Sequence, residues 1–371
     1  MNFFRAALLA IVLASAGVGS ATVLHGSGSR IYAPTCPYGS THADGCTTAA
    51  YTGSFQNTAY FSGATARPPW NVAGVDYAVG VPTSVTPIAV TAGNIPACTY
   101  WQSTGFPLLH VGTSSCTISG YDFSTTSAYC ATNGGCGIKI DAGVANTTIT
   151  KNNFGYASGV FVIAVQMDGA AGSGNTFSWN TVNGGGQNGY ASFGTLLSTS
   201  NITIEYNYIY NSVCEFVSAG GSMMVKYNYF ANGGQSVGCH LNYIQWGDGT
   251  NSSPVWDFNT VYQGQGMVNG EVIQMYTQGG TLGSITSGDV SYNSIRTSAT
   301  LIPSSSGGAS PSVSYIFHNG SNTQYPNTST GTTTNNYVDA TSAYGDFYGS
   351  LTGWTCSGNI DMMTGLSSNG C

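Results

Sequence analysis

Ile204-Glu205-Tyr206-Asn207-Tyr208-Ile209 and, one unit later, Val225-Lys226-Tyr227-Asn228-Tyr229-Phe230 are two copies of one pattern. It is an apolar residue, a polar one, usually an aromatic, then Asn, one further residue and an apolar one. Earlier copies are Ile149-Thr150-Lys151-Asn152-Asn153-Phe154 and Phe177-Ser178-Trp179-Asn180-Thr181-Val182. Later copies are Trp256-Asp257-Phe258-Asn259-Thr260-Val261, Val290-Ser291-Tyr292-Asn293-Ser294-Ile295 and the weaker Thr333-Thr334-Asn335-Asn336-Tyr337-Val338.

The asparagines stand at 152, 180, 207, 228, 259, 293 and 336, in steps of 28, 27, 21, 31, 34 and 43 residues. Steps of this size are one coil of a solenoid. Within each copy apolar and polar residues alternate and β-branched and aromatic types dominate, which marks a short strand with one face buried. Such a strand cannot bury that face alone, so successive copies must stack. The recurring Asn is expected at a bend, where its amide satisfies backbone groups and tolerates left-handed conformations.

These repeats resemble the right-handed parallel β-helix proteins of the pectin-lyase-like superfamily, which includes pectate lyases, polygalacturonases and many surface proteins. The resemblance spans roughly Thr86 to Ala340 and implies an all-β, single-stranded parallel β-helix. It is specific for architecture and poor for activity, because one fold hosts many functions. The expected organisation is a signal peptide at 1–21, a loop-rich N-terminal extension capping the first coil at 22–85, the β-helix at 86–345 and a disulfide-closed C-terminal cap at 346–371.

Residues 1–21 read as a secretory signal: Arg5, an apolar run from Ala6 to Leu13, then small residues at Ala14-Ser15-Ala16 and Gly19-Ser20-Ala21. The expected location is therefore secreted, cell-surface or periplasmic. No other apolar run approaches the ~18 residues of a membrane span. All ten cysteines follow the signal, an even number in an exported chain, which favours disulfides. The most local pairing is Cys36 with Cys46, Cys98 with Cys116, Cys130 with Cys136, Cys214 with Cys239 and Cys356 with Cys371.

Charged residues are 6% of the chain, with 7 basic against 14 acidic and a formal net charge of −7. A surface so poor in charge and rich in Gly, Ser, Thr, Asn and Tyr suits contact with polysaccharide. It lacks the basic face that nucleic acid requires. No cysteine or histidine spacing marks a metal site, and no cofactor is expected.

Candidate chemistry gathers on the run after each Asn unit. Glu215, His240 and Glu271 follow Cys214, Cys239 and Gly270 in successive coils, and a common register makes them an acid-base set. Two sheet spacings would separate the glutamates by ~9.6 Å of backbone, compatible with the ~6.5–9.5 Å between the carboxyls of inverting glycosidases. The run from His240 to Asp248 resembles a His-X-Asp-X-Ile-Gln segment of β-helix proteins whose polar side chains line a groove, with Asn242 standing where Asp is expected. It contributes Asn242, Tyr243, Gln245, Trp246 and Asp248 as candidate substrate contacts. Gln245 and Gln274 each follow Ile and are expected to stack, and Trp246 with Tyr243 would form an aromatic platform.

Glu205, Lys226 and Asp257 share one outward position in three units. The bland reading is an exposed ion ladder contributing ~0.2–1 kcal/mol per pair. In the functional reading Lys226 anchors a sugar carboxylate or serves as a lyase base. A Ca2+-dependent lyase is disfavoured by the absence of an Asp cluster, and no Ser-His-Asp elbow is present. Two readings follow: a glycan hydrolase or lyase, or a non-catalytic adhesin or shaft that binds glycan.

Overall fold

In a computed structural model the described residues are all-β apart from one short helix, Ala128–Thr132. The structure describes residues 56–102, 108–132, 136–155, 164–167, 171–184, 202–212, 217–219, 222–233, 241–246, 250–264, 270–275, 284–297, 315–319, 330–339, 347–349 and 353–368. Its strands form long parallel stacks, compatible with a parallel β-helix.

The first sheet has ten strands in strict chain order, from Ile88–Ala89 through Tyr208–Tyr210 and Tyr229–Ala231 to Ile360–Asp361. The second has nine, from Thr117–Ser119 through Ile202–Glu205 and Met223–Lys226 to Trp354–Ser357. Each strand pairs with the one a full repeat later, as Ile202↔Met223 and Tyr208↔Tyr229 show. The third face carries a four-stranded sheet near the N-terminal end and a five-stranded parallel sheet from Val217–Ala219 to Phe347–Gly349. In the four-stranded sheet Thr99–Trp101 runs antiparallel at the edge, beyond Leu108–Val111.

Inward residues form columns. Ile118, Ile149, Phe177, Ile204, Val225, Trp256 and Val290 line the second sheet, and Phe154, Val182, Ile209, Phe230, Val261, Ile295 and Val338 line the first. All belong to one continuous core.

The bend between the second and first sheets explains the repeat. The Asn sits buried, and its Oδ1 accepts the backbone N–H of the preceding Asn of the ladder: Asn180 from Asn152 at 2.9 Å, Asn207 from Asn180 at 2.8 Å, Asn228 from Asn207 at 2.9 Å. Its Nδ2 donates back to a strand carbonyl, as Asn207 does to Phe177 O at 2.8 Å. The ladder continues through Asn259, Asn293 and Asn336 and adds Asn359, which the sequence pattern did not single out.

The left-handed residue at this bend is the one before the Asn. Lys151, Trp179, Tyr206, Tyr227, Phe258, Tyr292 and Asn335 have φ between 55° and 59°. Bulky residues rarely adopt that conformation. Here the rings offset it by stacking coil upon coil: Trp179 on Tyr206 at 4.7 Å, Tyr206 on Tyr227 at 5.1 Å, Tyr227 on Phe258 at 5.1 Å and Phe258 on Tyr292 at 4.9 Å.

Of the expected N-terminal extension, residues 22–55 lie outside the described residues. Residues 56–87 form a strap along the flank of the first sheet, reaching its last strand at Thr65 and Ala66 and then returning toward its first. Thr65 and Ala66 N–H groups donate to Met362 O, Tyr60 Oη to Val261 O, Gly80 N–H to Tyr206 O, and Ile88 N–H to Gly120 O. Trp70 sets its edge against Phe258, Tyr292 and Tyr337. Gly74, at φ +72°, passes so close to Tyr229 that a Cβ would lie 2.4 Å from the ring. The strap covers aromatic surface on this flank, packing Trp70, Val72, Tyr77 and Val79 against its rings.

Cys98–Cys116 and Cys130–Cys136 are disulfides, as expected. Cys356 is also disulfide-bonded. Cys36, Cys46, Cys214, Cys239 and Cys371 lie outside the described residues. No described helix is long and apolar enough to cross a membrane.

Candidate functional site

The third sheet brings part of the expected set together. Gln245 is level with Gln274, and Gln274 with His318, so the anticipated glutamine pair exists at the backbone. Glu271 is level with Asn242, two residues along from the His240 position that the sequence alignment had matched to it. Counting from the cysteines gives a different register from the one the sheet adopts, because the runs that follow them differ in length. Trp246 is level with Met275. Glu215, His240 and Asp248 lie outside the described residues.

Tyr243 is corrected: it is 0% exposed, part of the core, with its hydroxyl donating to Gln263 Oε1. Its ring is edge-on to Phe230 at 6.4 Å. Tyr243 and Ile244 are both buried although adjacent, so strict alternation fails there and the ring cannot serve an outward platform.

The second sheet presents a fuller site. Its outward positions form two columns. One reads Thr117, Thr148, Thr176, Thr203, Met224, Val255, Asp289, Thr332, Thr355, and the other Ser119, Thr150, Ser178, Glu205, Lys226, Asp257, Ser291, Thr334, Ser357. The anticipated charge column Glu205–Lys226–Asp257 is therefore real in register. It is not an exposed ladder: Glu205 and Lys226 are half-buried and Asp257 is 9% exposed.

Burial, reinforced by the neighbouring Asp289, pushes the Asp257 carboxyl up to about 8, against the opposing effects of a Ser291 N–H bond and Lys226. Ser291 joins the two acids, donating its N–H to Asp257 Oδ1 at 2.9 Å and its hydroxyl to Asp289 Oδ1 at 2.5 Å. Thr332 Oγ1 also donates to Asp289 at 2.9 Å. Asp289 was missed by sequence reasoning because it sits one column away from the charged positions of the repeat.

On the same sheet, at the start of earlier strands, lies a groove of about 370 Å³. Thr203, Ser222, Met224, Ser252 and Ser253 line it, with Gly174 and Asn175 at one end. Glu205 and Lys226 follow Thr203 and Met224 by two residues on the same strands, or ~7 Å. Groove and charged column thus form adjoining strips of one face.

A third cluster also escaped the sequence reading. His110 Nδ1 lies 2.7 Å from Asp141 Oδ1, and Tyr100 Oη donates to Asp141 Oδ2 at 2.7 Å, a bond that raises the Tyr100 hydroxyl above its ordinary range. The 31 residues between His110 and Asp141 equal one repeat, the signal that would have found it. Among the described residues no group of three or more His, Cys, Asp or Glu side chains is placed to hold a metal.

No protein-family model, no curated protein and no solved structure matches the chain.

Proposed function

We propose that this is an exported right-handed parallel β-helix protein of the pectin-lyase-like type that binds polysaccharide along its second sheet and hydrolyses it. The right-handed form is supported by the strong chirality of parallel crossover connections. Export is supported by the leader-like N-terminus and by the disulfides.

The single observation that carries the enzymatic reading is the Asp257–Asp289 pair on the sheet that also carries the groove. A carboxyl raised to about 8 holds its proton at neutral pH and is a general acid for a glycosidic oxygen. Asp289 is the second carboxyl that a hydrolase requires to activate water. The sequence-derived set Glu215, His240 and Glu271, with Gln245, Gln274 and Trp246 as sugar contacts, is the alternative location of the chemistry.

One observation favours a non-catalytic glycan-binding protein instead: Ser291 and Thr332 already donate to both aspartates, as they would to purely structural acceptors. The test is a screen of the purified chain on neutral and acidic polysaccharides, following new reducing ends and the ultraviolet absorbance of unsaturated uronates. Hydrolysis is expected to give reducing ends alone, lost by at least a hundredfold in Asp257→Asn and retained in Glu271→Gln. Unsaturated products would make the protein a lyase; retained binding with silence in both readouts would make it an adhesin.

A further inference from the structure

We infer that the second-sheet groove takes uncharged sugar units, so that the polymer recognised is a neutral polysaccharide and not a polyuronate; this rests on the polysaccharide reading above. A uronate carboxylate needs a cation or several convergent donors when it leaves water. Among the described residues the groove's lining carries no charge: it combines the hydroxyls of Thr203, Ser222, Ser252 and Ser253 and the amide of Asn175 with the apolar Ile202, Met223 and Met224.

Among the described residues no cation lines the groove, and Lys151 stands at the bend of the Asn ladder. Lys226, the nearest, is half-buried and stands in register beside Glu205, whose carboxylate competes with an incoming one. Arg67 pairs with Asp76, and Arg296 donates to Tyr60 O and Ser62 O and faces Asp339, all on the strap side of the molecule. Lys139 belongs to the third face, in register with His110 and Gln166. The acidic net charge of the chain opposes a polyanion as well.

Met224 supplies the positive part of the inference. It is 42% exposed and stands in its column between Thr203 and Val255, in a groove that Ser222, Ser252 and Ser253 also line. An exposed thioether among hydroxyls suits a pyranose, whose ring presents an apolar C–H face and a polar rim. A volume of about 370 Å³ lies near the small end of ligand pockets, ~300–1,000 Å³, and fits a short stretch of sugar.

Affinity electrophoresis of the full-length protein through gels containing a neutral β-glucan, a neutral mannan or polygalacturonate tests this. Retardation by at least one neutral polymer is expected, with none by polygalacturonate, and Met224→Lys is expected to weaken it at least tenfold. Met224 is exposed, so an unchanged melting temperature will show that the variant is folded; Thr203→Val is a second variant, expected to weaken retardation severalfold. Retardation by polygalacturonate alone would overturn the neutral-sugar inference and leave the polysaccharide reading standing. Neutral binding unchanged in both variants would overturn the assignment to this groove. Retardation by none of the polymers would overturn both readings.

Discussion

Asn207 shows how much one side chain does in this fold. Its Oδ1 accepts from Asn180 N–H at 2.8 Å and from Asn180 Nδ2 at 3.2 Å, while its Nδ2 reaches Phe177 O and Asn228 Oδ1. Asn207→Ala would strand these groups in a site that is 0% exposed. Each buried unsatisfied group costs ~1–3 kcal/mol, so a loss of roughly 2–4 kcal/mol is expected in urea unfolding. The asparagines were legible in the sequence because the ladder accepts few other side chains, and their spacing gives the stacking directly. The φ > 0 aromatics were not, since nothing in a Tyr-Asn dipeptide says which residue takes the left-handed turn. Asp257 was legible as a position and not as a buried acid, because Asp289 and Ser291 reach it from the next coil. Its raised carboxyl binds a proton more tightly folded than unfolded, so its contribution is full below the ordinary value of 3.8 and disappears as pH rises through about 8. Stability of the wild type is therefore expected to fall between those values by up to ~1.4 kcal/mol per pH unit relative to Asp257→Asn, measured by denaturant titration across pH.

At the scale of elements, the strap is the part least visible in the sequence. Residues 56–87 have no repeat of their own, and their partners lie up to some 300 positions away, as with Thr65 Oγ1 and Met363 O. Local composition therefore shows only a loop-rich segment, and what fixes residues 56–87 is aromatic surface assembled only once the coils stack. Trp70 is the strap's main anchor, 4% exposed against the ladder rings Phe258 and Tyr292 and against Tyr337. Trp70→Ala is expected to cost about 3–5 kcal/mol, seen as a lowered melting temperature. The third sheet illustrates the opposite limit: its strands were placed correctly by their Ile-Gln dipeptides, but the level of Glu271 was not. A shift of two residues keeps the same side chains facing outward, so the hydrophobic pattern cannot detect it.

For the molecule as a whole, one dimension is set by the number of repeats. Thr148, Thr176, Thr203, Met224, Val255, Asp289, Thr332 and Thr355 stand in consecutive register on the second sheet. Both the groove and the acid pair exist only if these residues, 207 positions apart from first to last, form one column. Pairs of spin labels at Thr148 and each of Val255, Thr332 and Thr355 measure it. Backbone separations rising as ~19, ~29 and ~34 Å, about 4.8 Å per coil, are expected. Separations that fail to rise in that order, or that collapse toward one short value, would contradict the stacking and with it the proposed site.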